Sequence, residues 1–202
     1  MVSFMKHSKI SNEFYFIMRM ERRYGMKEIN YTDLVFNPTN MLANEWMIVC
    51  AGNQDTGYNG MTVSWGHFGS IWGYEGKHNL PTILVYVRPS RYTLNFMEKE
   101  EYFTVNLLPQ SQKKALAIFG SKSGRDIDKF KEANLTPGFT DNTTYIKESK
   151  YAFVCKKLYT GDLKEEGFNV PAIVEDCYPN KDFHRFFVGE IVKVLQSEDG
   201  ES

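Results

Sequence analysis

Two arginines and three hydroxyl side chains fall within six residues at Arg88-Pro89-Ser90-Arg91-Tyr92-Thr93. The group follows an apolar run, 81–87, and precedes a stretch of helical pattern. It therefore sits where a buried strand ends and a helix begins. A helix start offers unpaired backbone N–H groups and a partial positive charge. Guanidiniums add paired, charged hydrogen bonds to oxyanions. The chemistry served by this combination is the binding of a phosphate dianion. The plain alternative is an ordinary helix start, with Ser90 as the N-cap and both arginines solvated.

A second group is Asn59-Gly60-Met61-Thr62-Val63-Ser64-Trp65. Apolar and small polar residues alternate here, as on a strand with one face inward. Thr62 and Ser64 then point the same way, so their hydroxyls could meet the polar edge of a heterocycle. Gly60 would let the backbone approach a ligand closely. A strand whose outer face happens to carry threonine and serine explains the same pattern. A third group, Gly120-Ser121-Lys122-Ser123-Gly124-Arg125-Asp126, joins two short helical stretches and supplies several donors. Without a ligand it reads as a loop in which Asp126 caps the next helix. The fourth is His184, on a strand within Asp182-Phe183-His184-Arg185. An imidazole of ordinary pKa, ~6.5, would give a reaction there a pH dependence near neutrality. A structural histidine is the alternative.

These groups need elements to hold them. The runs 46–51, 61–65, 81–87 and 102–108 read as strands, and 151–159 and 183–195 return to strand alternation. Short helices are expected over 91–100, 112–119 and 126–133. Irregular segments, not regular crossover helices, separate the strands. That disfavours a doubly wound parallel sheet. The expected fold is mainly β, a closed or partly open antiparallel barrel with short inserted helices. The apolar run 14–18 is too short for a signal peptide or a membrane helix. Residues 1–25 read as an N-terminal extension, and 26–202 as one domain.

Composition narrows the function. The 24 basic and 25 acidic side chains leave a formal charge of −1, which gives no basic surface for nucleic acid or an anionic membrane. Cys50, Cys155 and Cys177 are odd in number and widely spaced, so neither a disulfide framework nor a zinc pattern is expected. Free thiols fit a reducing cytoplasm. His7, His67, His78 and His184 have no metal-ligand spacing, and no metal site is expected. Aromatic residues make up 15%, which favours β structure and stacking surfaces. No Gly-x-Gly-x-x-Gly, Walker loop or Gly-x-Ser-x-Gly elbow occurs in the sequence.

Taken in order, several segments resemble the flavin reductase-like family of FMN-binding split barrels, and most of all its flavoredoxin-type branch. They are Met61-Thr62-Val63-Ser64-Trp65-Gly66, Pro81 with its strand, Arg88 to Thr93, and Tyr102-Phe103-Thr104. Next come Ser121 to Asp126 with Asp128-Lys129-Phe130, and His184 followed by Val188-Gly189-Glu190. The resemblance spans residues 31–195. His67 stands where small residues are common in the family.

The resemblance implies an antiparallel split β-barrel of Greek-key type, assembled as a homodimer with FMN near the subunit interface. It places the ring and ribityl chain against Met61, Thr62, Val63, Ser64 and Trp65. The phosphate falls near Arg88, Ser90, Arg91, Tyr92 and Thr93, and Ser123, Gly124 and Arg125 close the site. His184 would be the catalytic residue, facing the ring or the nicotinamide of NADH or NADPH. The implied activity is NAD(P)H-dependent flavin reduction. The alternatives are a flavoredoxin-like electron carrier serving a protein acceptor and a non-catalytic flavin-binding protein. In the reductase and carrier readings the flavin carries the redox chemistry, and the protein supplies placement and electrostatics.

Overall fold

The structure is a computed structural model that describes residues 25–198. Of the expected N-terminal extension, all but Gly25 lies outside the described residues. The elements run β1 (Met26–Ile29), α1 (Pro38–Asn40), a π-helical turn (Met41–Glu45), β2 (Met47–Asn53), β3 (Gly57–Val63), β4 (Gly66–Ser70) and β5 (Pro81–Val87). They continue with α2 (Leu94–Lys99), β6 (Tyr102–Leu107), α3 (Lys114–Ser121), α4 (Lys129–Glu132), β7 (Pro137–Thr140) and β8 (Thr143–Ile146). The last are β9 (Tyr151–Asp162), α5 (Pro171–Cys177) and β10 (Arg185–Ser197).

Seven strands pair in the order β3-β2-β6-β9-β10-β5-β4, and β1 adds to β10. Each of these pairings is antiparallel. The two ends of the path, β3 and β4, are consecutive in the chain, and only Ser64 and Trp65 separate them. The sheet therefore curls round until its ends meet at a seam without ladder hydrogen bonds. This is the expected split barrel, and the seam carries two of the expected site residues.

β2 shows why the barrel holds. Its run Met47-Ile48-Val49-Cys50-Ala51 is apolar on both faces because both are covered. Met47, Val49 and Ala51 point into the barrel with Ile83, Val85, Val105, Phe153 and Phe187, all buried. Ile48 and Cys50 point outward, against Leu116 and Phe119 of α3, Phe130 of α4 and Ile146 of β8. The helices thus form a second layer over one wall. Truncating a fully buried ring such as Phe119 costs about 3–5 kcal/mol in sites of this kind.

Two of the three expected helices are shorter than the sequence pattern implies, and the third, expected over 112–119, runs over Lys114–Ser121. The expected 91–100 is a helix only over Leu94–Lys99, because residues 88–93 form two successive turns, with Arg91 N–H on the Arg88 carbonyl and Leu94 N–H on the Arg91 carbonyl. The expected 126–133 shrinks to the single turn of α4, capped by Asp128, whose Oδ1 accepts the Lys131 N–H at 3.1 Å, and not by Asp126. Short strands β4, β7 and β8 and helix α5 carry too few periodic residues to stand out in the sequence.

Candidate functional site

Asn59 joins three of the four groups. Its Nδ2 donates to Thr93 Oγ1 at 2.9 Å, and its Oδ1 lies where a Cβ on Gly124 would stand, 2.2 Å from it. Only glycine at position 124 lets the 120–125 loop close onto β3. Arg91 completes the join, donating to the Gly120 carbonyl at 2.6 Å. Arg125 stacks its guanidinium 4.7 Å from the Tyr92 ring centre. Ser123 Oγ accepts the Arg125 N–H and shapes the loop. Thr93, Tyr92, Arg91, Ser123, Gly124 and Arg125 therefore share one wall.

β3 contributes less through side chains than its pattern implied. Met61 and Val63 turn into the barrel core, so only their backbone groups remain for a ligand. Thr62 does not present its hydroxyl outward: Oγ1 donates to the Leu116 carbonyl of α3 at 2.6 Å. Gly60 also serves packing, since a Cβ there would lie 2.9 Å from the Phe119 ring and 3.0 Å from Cys50 Sγ. Ser64 and Trp65 lie beyond the strand end and line a cavity of about 560 Å³ with Leu42, His67, Phe68 and Tyr86.

Residues 88–93 also differ from a capped helix start. Thr93, not Ser90, is the cap residue, and it makes no side-chain capping bond because its hydroxyl is held by Asn59. Ser90 is exposed. Arg88 is committed elsewhere: it donates to Asp182 Oδ2 at 2.6 Å and to the Cys177 carbonyl at 2.8 Å, and it stacks on Tyr178. It fastens the 177–184 segment to the end of β5 and is not held open for a phosphate.

His184 is buried, with Nδ1 and the Tyr178 hydroxyl hydrogen-bonded at 2.7 Å. Its ring centre is 5.0 Å from that of Trp65, which is 44% exposed at the seam. Burial, aided by the Arg88 and Arg91 charges, pushes the imidazole pKa down to about 4, and Asp182 only partly offsets this. That places its titration below the near-neutral range of an ordinary imidazole, so burial favours the neutral form.

Three residues with a part in the site lay outside the expected set. Asn59 opens the second group, but its strand pattern gives no sign of the bond to Thr93. Tyr178 and Asp182 reach the site only through the return of β10. A fourth, Lys129, is buried on α4, and its Nζ donates to the carbonyls of Gly60 at 2.9 Å and Phe119 at 3.1 Å. Burial, then the neighbouring Arg91 charge, lowers its pKa to about 8. Among the described residues Arg91, Arg125 and Lys129 form no ion pair with a carboxylate. The wall thus carries cationic charge without a carboxylate bonded to it, the condition that an anionic ligand satisfies.

Within the described residues no cluster of three or more potential metal ligands occurs, and no helix is long and apolar enough to cross a membrane.

No curated protein matches the chain. Solved structures do. The FMN-binding domain of a flavin reductases-like enzyme from Shewanella baltica OS155 aligns with a TM-score of 0.58 at 12% identity, over 86% of this chain and 78% of that one. Flavoredoxin of Desulfovibrio vulgaris (Miyazaki F) aligns with a TM-score of 0.57 at 22% identity, over 86% and 78%. A Shewanella frigidimarina NCIMB 400 protein described as having a split barrel domain aligns with a TM-score of 0.57 at 17% identity, over 85% and 76%. At these identities the structural likeness shows the shared barrel fold alone. The family model for the flavin reductase like domain matches residues 40–202, most of the chain and all four groups of site residues, and the protein therefore belongs to the flavin reductase-like family.

Proposed function

We propose that the chain binds FMN and works as an NAD(P)H-dependent flavin reductase. The observation that carries this reading is the wall where Arg91, Arg125 and Lys129 lie together without carboxylate partners beside the seam at Ser64 and Trp65. A phosphate fits Arg91 and Arg125, whose guanidiniums are already oriented by Gly120 and Tyr92. A flavin ring fits the seam, where Trp65 offers an aromatic face and the backbone of β3, an edge strand, has unpaired groups. The FMN-binding domain from Shewanella baltica and the flavoredoxin of Desulfovibrio vulgaris share this fold, which supports the choice of flavin.

Bound flavin would supply the hydride-accepting chemistry. The chain's own residues would orient it and restrict water. His184 is the residue assigned to the nicotinamide side. Neutral and fixed by Tyr178, it acts by hydrogen bonding and position, not by donating a proton near neutrality. All three tryptophans are 44–49% exposed, unusual for the residue type with most to gain from burial, and this supports a homodimer that covers them. Three free thiols suit a reducing cytoplasm.

An anaerobic titration of the flavin-loaded protein with NADH and with NADPH tests the assignment. Bleaching at a rate that saturates with the nicotinamide supports the reductase. Yellow protein that neither nicotinamide bleaches, but that a reduced protein partner does, would replace it with the carrier function. Colourless protein that binds neither FMN nor riboflavin would overturn both.

A further inference from the structure

Two cations grip consecutive carbonyls at the C-terminal end of α3. Lys129 Nζ takes the Phe119 carbonyl, and Arg91 takes the Gly120 carbonyl next to it. The end of a helix carries partial negative charge, which offsets some of the repulsion between them. Other carbonyls of this turn are also filled, Leu116 by Thr62, Ala117 by Ser121 and Ile118 by the Lys122 N–H. The ammonium is buried and its two observed hydrogen bonds go to neutral carbonyls. The Lys129 side chain borders the cavity of about 440 Å³ that Asn59, Gly124 and Arg125 also line, but its ammonium is turned to the Gly60 and Phe119 carbonyls. Its charge still acts on whatever Arg91 binds, because low-dielectric surroundings screen it weakly.

We propose that Lys129 is a positioning residue of the phosphate subsite, whose buried charge strengthens anion binding at Arg91 without touching the ligand. This rests on the reading that a flavin phosphate lies at Arg91 and Arg125. The proposal makes phosphate affinity depend on alkaline pH. A group with its pKa near 8 loses most of its charge between pH ~7 and pH ~9. The other groups that face it do not mimic this. Arginine does not titrate in proteins. The Cys50 thiol and the Tyr58 phenol are both pushed upward by burial, away from this interval. Asp126 and Asp128 line the same cavity as Lys129, and neither is bonded to its ammonium. The flavin phosphate is already a dianion there.

The test is a fluorescence titration of FMN and of riboflavin, which lacks the phosphate, against wild type and Lys129→Met at pH ~7 and pH ~9. Wild type should lose about three- to tenfold in FMN affinity across this interval, with riboflavin affinity unchanged. Lys129→Met should bind FMN about three- to tenfold more weakly at pH ~7 and show no pH dependence, again sparing riboflavin. Parallel pH dependence for the two flavins in wild type would overturn the proposal, as would a folded Lys129→Met with wild-type FMN affinity. Thermal unfolding establishes that the variant is folded. If it is not, the ratio of FMN to riboflavin affinity in wild type at the two pH values decides alone. Wild type that binds neither flavin overturns the flavin reading and this proposal with it. Wild type that binds both without pH dependence overturns this proposal only.

Discussion

Arg91 and Gly120 meet across 2.6 Å, guanidinium to carbonyl, and this bond ties the turn after β5 to the last turn of α3. The two segments are 29 residues apart in sequence. One N–H of the fork is spent on the join, and the rest of the guanidinium stays half-buried at the wall. An arginine held in this way loses little side-chain entropy when an oxyanion arrives. Arg88, three residues earlier, has the opposite disposition, with its guanidinium shared between Asp182 and the Cys177 carbonyl.

The two arginines should therefore separate by experiment. Arg91→Ala should weaken FMN by about ten- to a hundredfold, the loss of a charged hydrogen bond of roughly 1.5–3 kcal/mol, and riboflavin much less. Arg88→Ala should lower the thermal midpoint and loosen residues 177–184, with FMN and riboflavin affected alike. Equal losses of both flavins in Arg91→Ala would remove the phosphate from this residue.

His184 gives a pH prediction for stability. Its folded pKa, about 4, lies below the ~6.5 of an unfolded histidine. Above pH ~6.5 neither state binds the proton, and the full stability is present. As pH falls from ~6.5 to ~4 the unfolded chain takes up a proton that the folded one refuses, so stability drops, by at most about 3 kcal/mol. Asp182 is held below its usual range, chiefly by its hydrogen bond to Arg88, and its own loss falls at lower pH. Urea unfolding of wild type and His184→Asn across pH ~4 to ~7 should show this slope in wild type and lose most of it in the variant. Flavin reduction should slow by about ten- to a hundredfold in the variant, with no inflection from this residue in either protein between pH ~5.5 and ~8.5. An inflection near pH ~6.5 that vanishes in the variant would show that the imidazole titrates in the flavin-bound enzyme.

The strands of this barrel were legible because their apolar runs are long and flanked by turn residues. The site was legible in its segments but not in its bonds. Ser90 looks like a cap because serine before a helical pattern usually is one; two turns over residues 88–93 put the helix start at residue 94 instead, with Thr93 as the cap and its hydroxyl held by Asn59 of β3. Thr62 alternates as a surface residue, yet α3 covers that face and takes its hydroxyl. Ile191 reads as core by alternation with Phe187, yet it is only half-buried. Register shifts at Val188/Gly189 and Ile191/Lys193 reset the period of β10, so that Val194 joins the barrel core while Leu195 packs on the other face against Ala152 and Val154. Local pattern carries no information about partners dozens of residues away.

β10 pairs with β5 and β9 along one half and with β1 and β9 along the other. Ending the chain at Asn180 removes His184 and all of β10, including the fully buried Phe187, and it leaves the edges of β5 and β9 open. The truncated protein should be insoluble, or should lose the cooperative unfolding transition of the full chain by circular dichroism. A soluble product with a cooperative transition would mean that the remaining strands close without it.

Gly60 tests the join between β3 and α3 from the packing side. Its backbone is not in the left-handed region, so alanine there brings no conformational strain, only contact. The new Cβ would stand 2.9 and 3.1 Å from two carbons of the Phe119 ring and 3.0 Å from Cys50 Sγ. Both neighbours are fully buried and have no solvent to swing into. Overpacking of this kind costs about 1–3 kcal/mol, a fall of roughly 3–10 °C in Tm for a chain of this size. The ring would yield by pushing α3 outward, which stretches the Thr62 bond to Leu116 and shifts the carbonyls that Lys129 and Arg91 hold. Flavin affinity should therefore fall together with stability. Shortening the ring relieves the clash, so Gly60→Ala should cost less in a Phe119→Leu background than in wild type, and the double-mutant cycle should show coupling of about 0.5–2 kcal/mol. If Gly60→Ala melts like wild type but loses flavin, the glycine serves ligand approach after all, as its place in the sequence first implies.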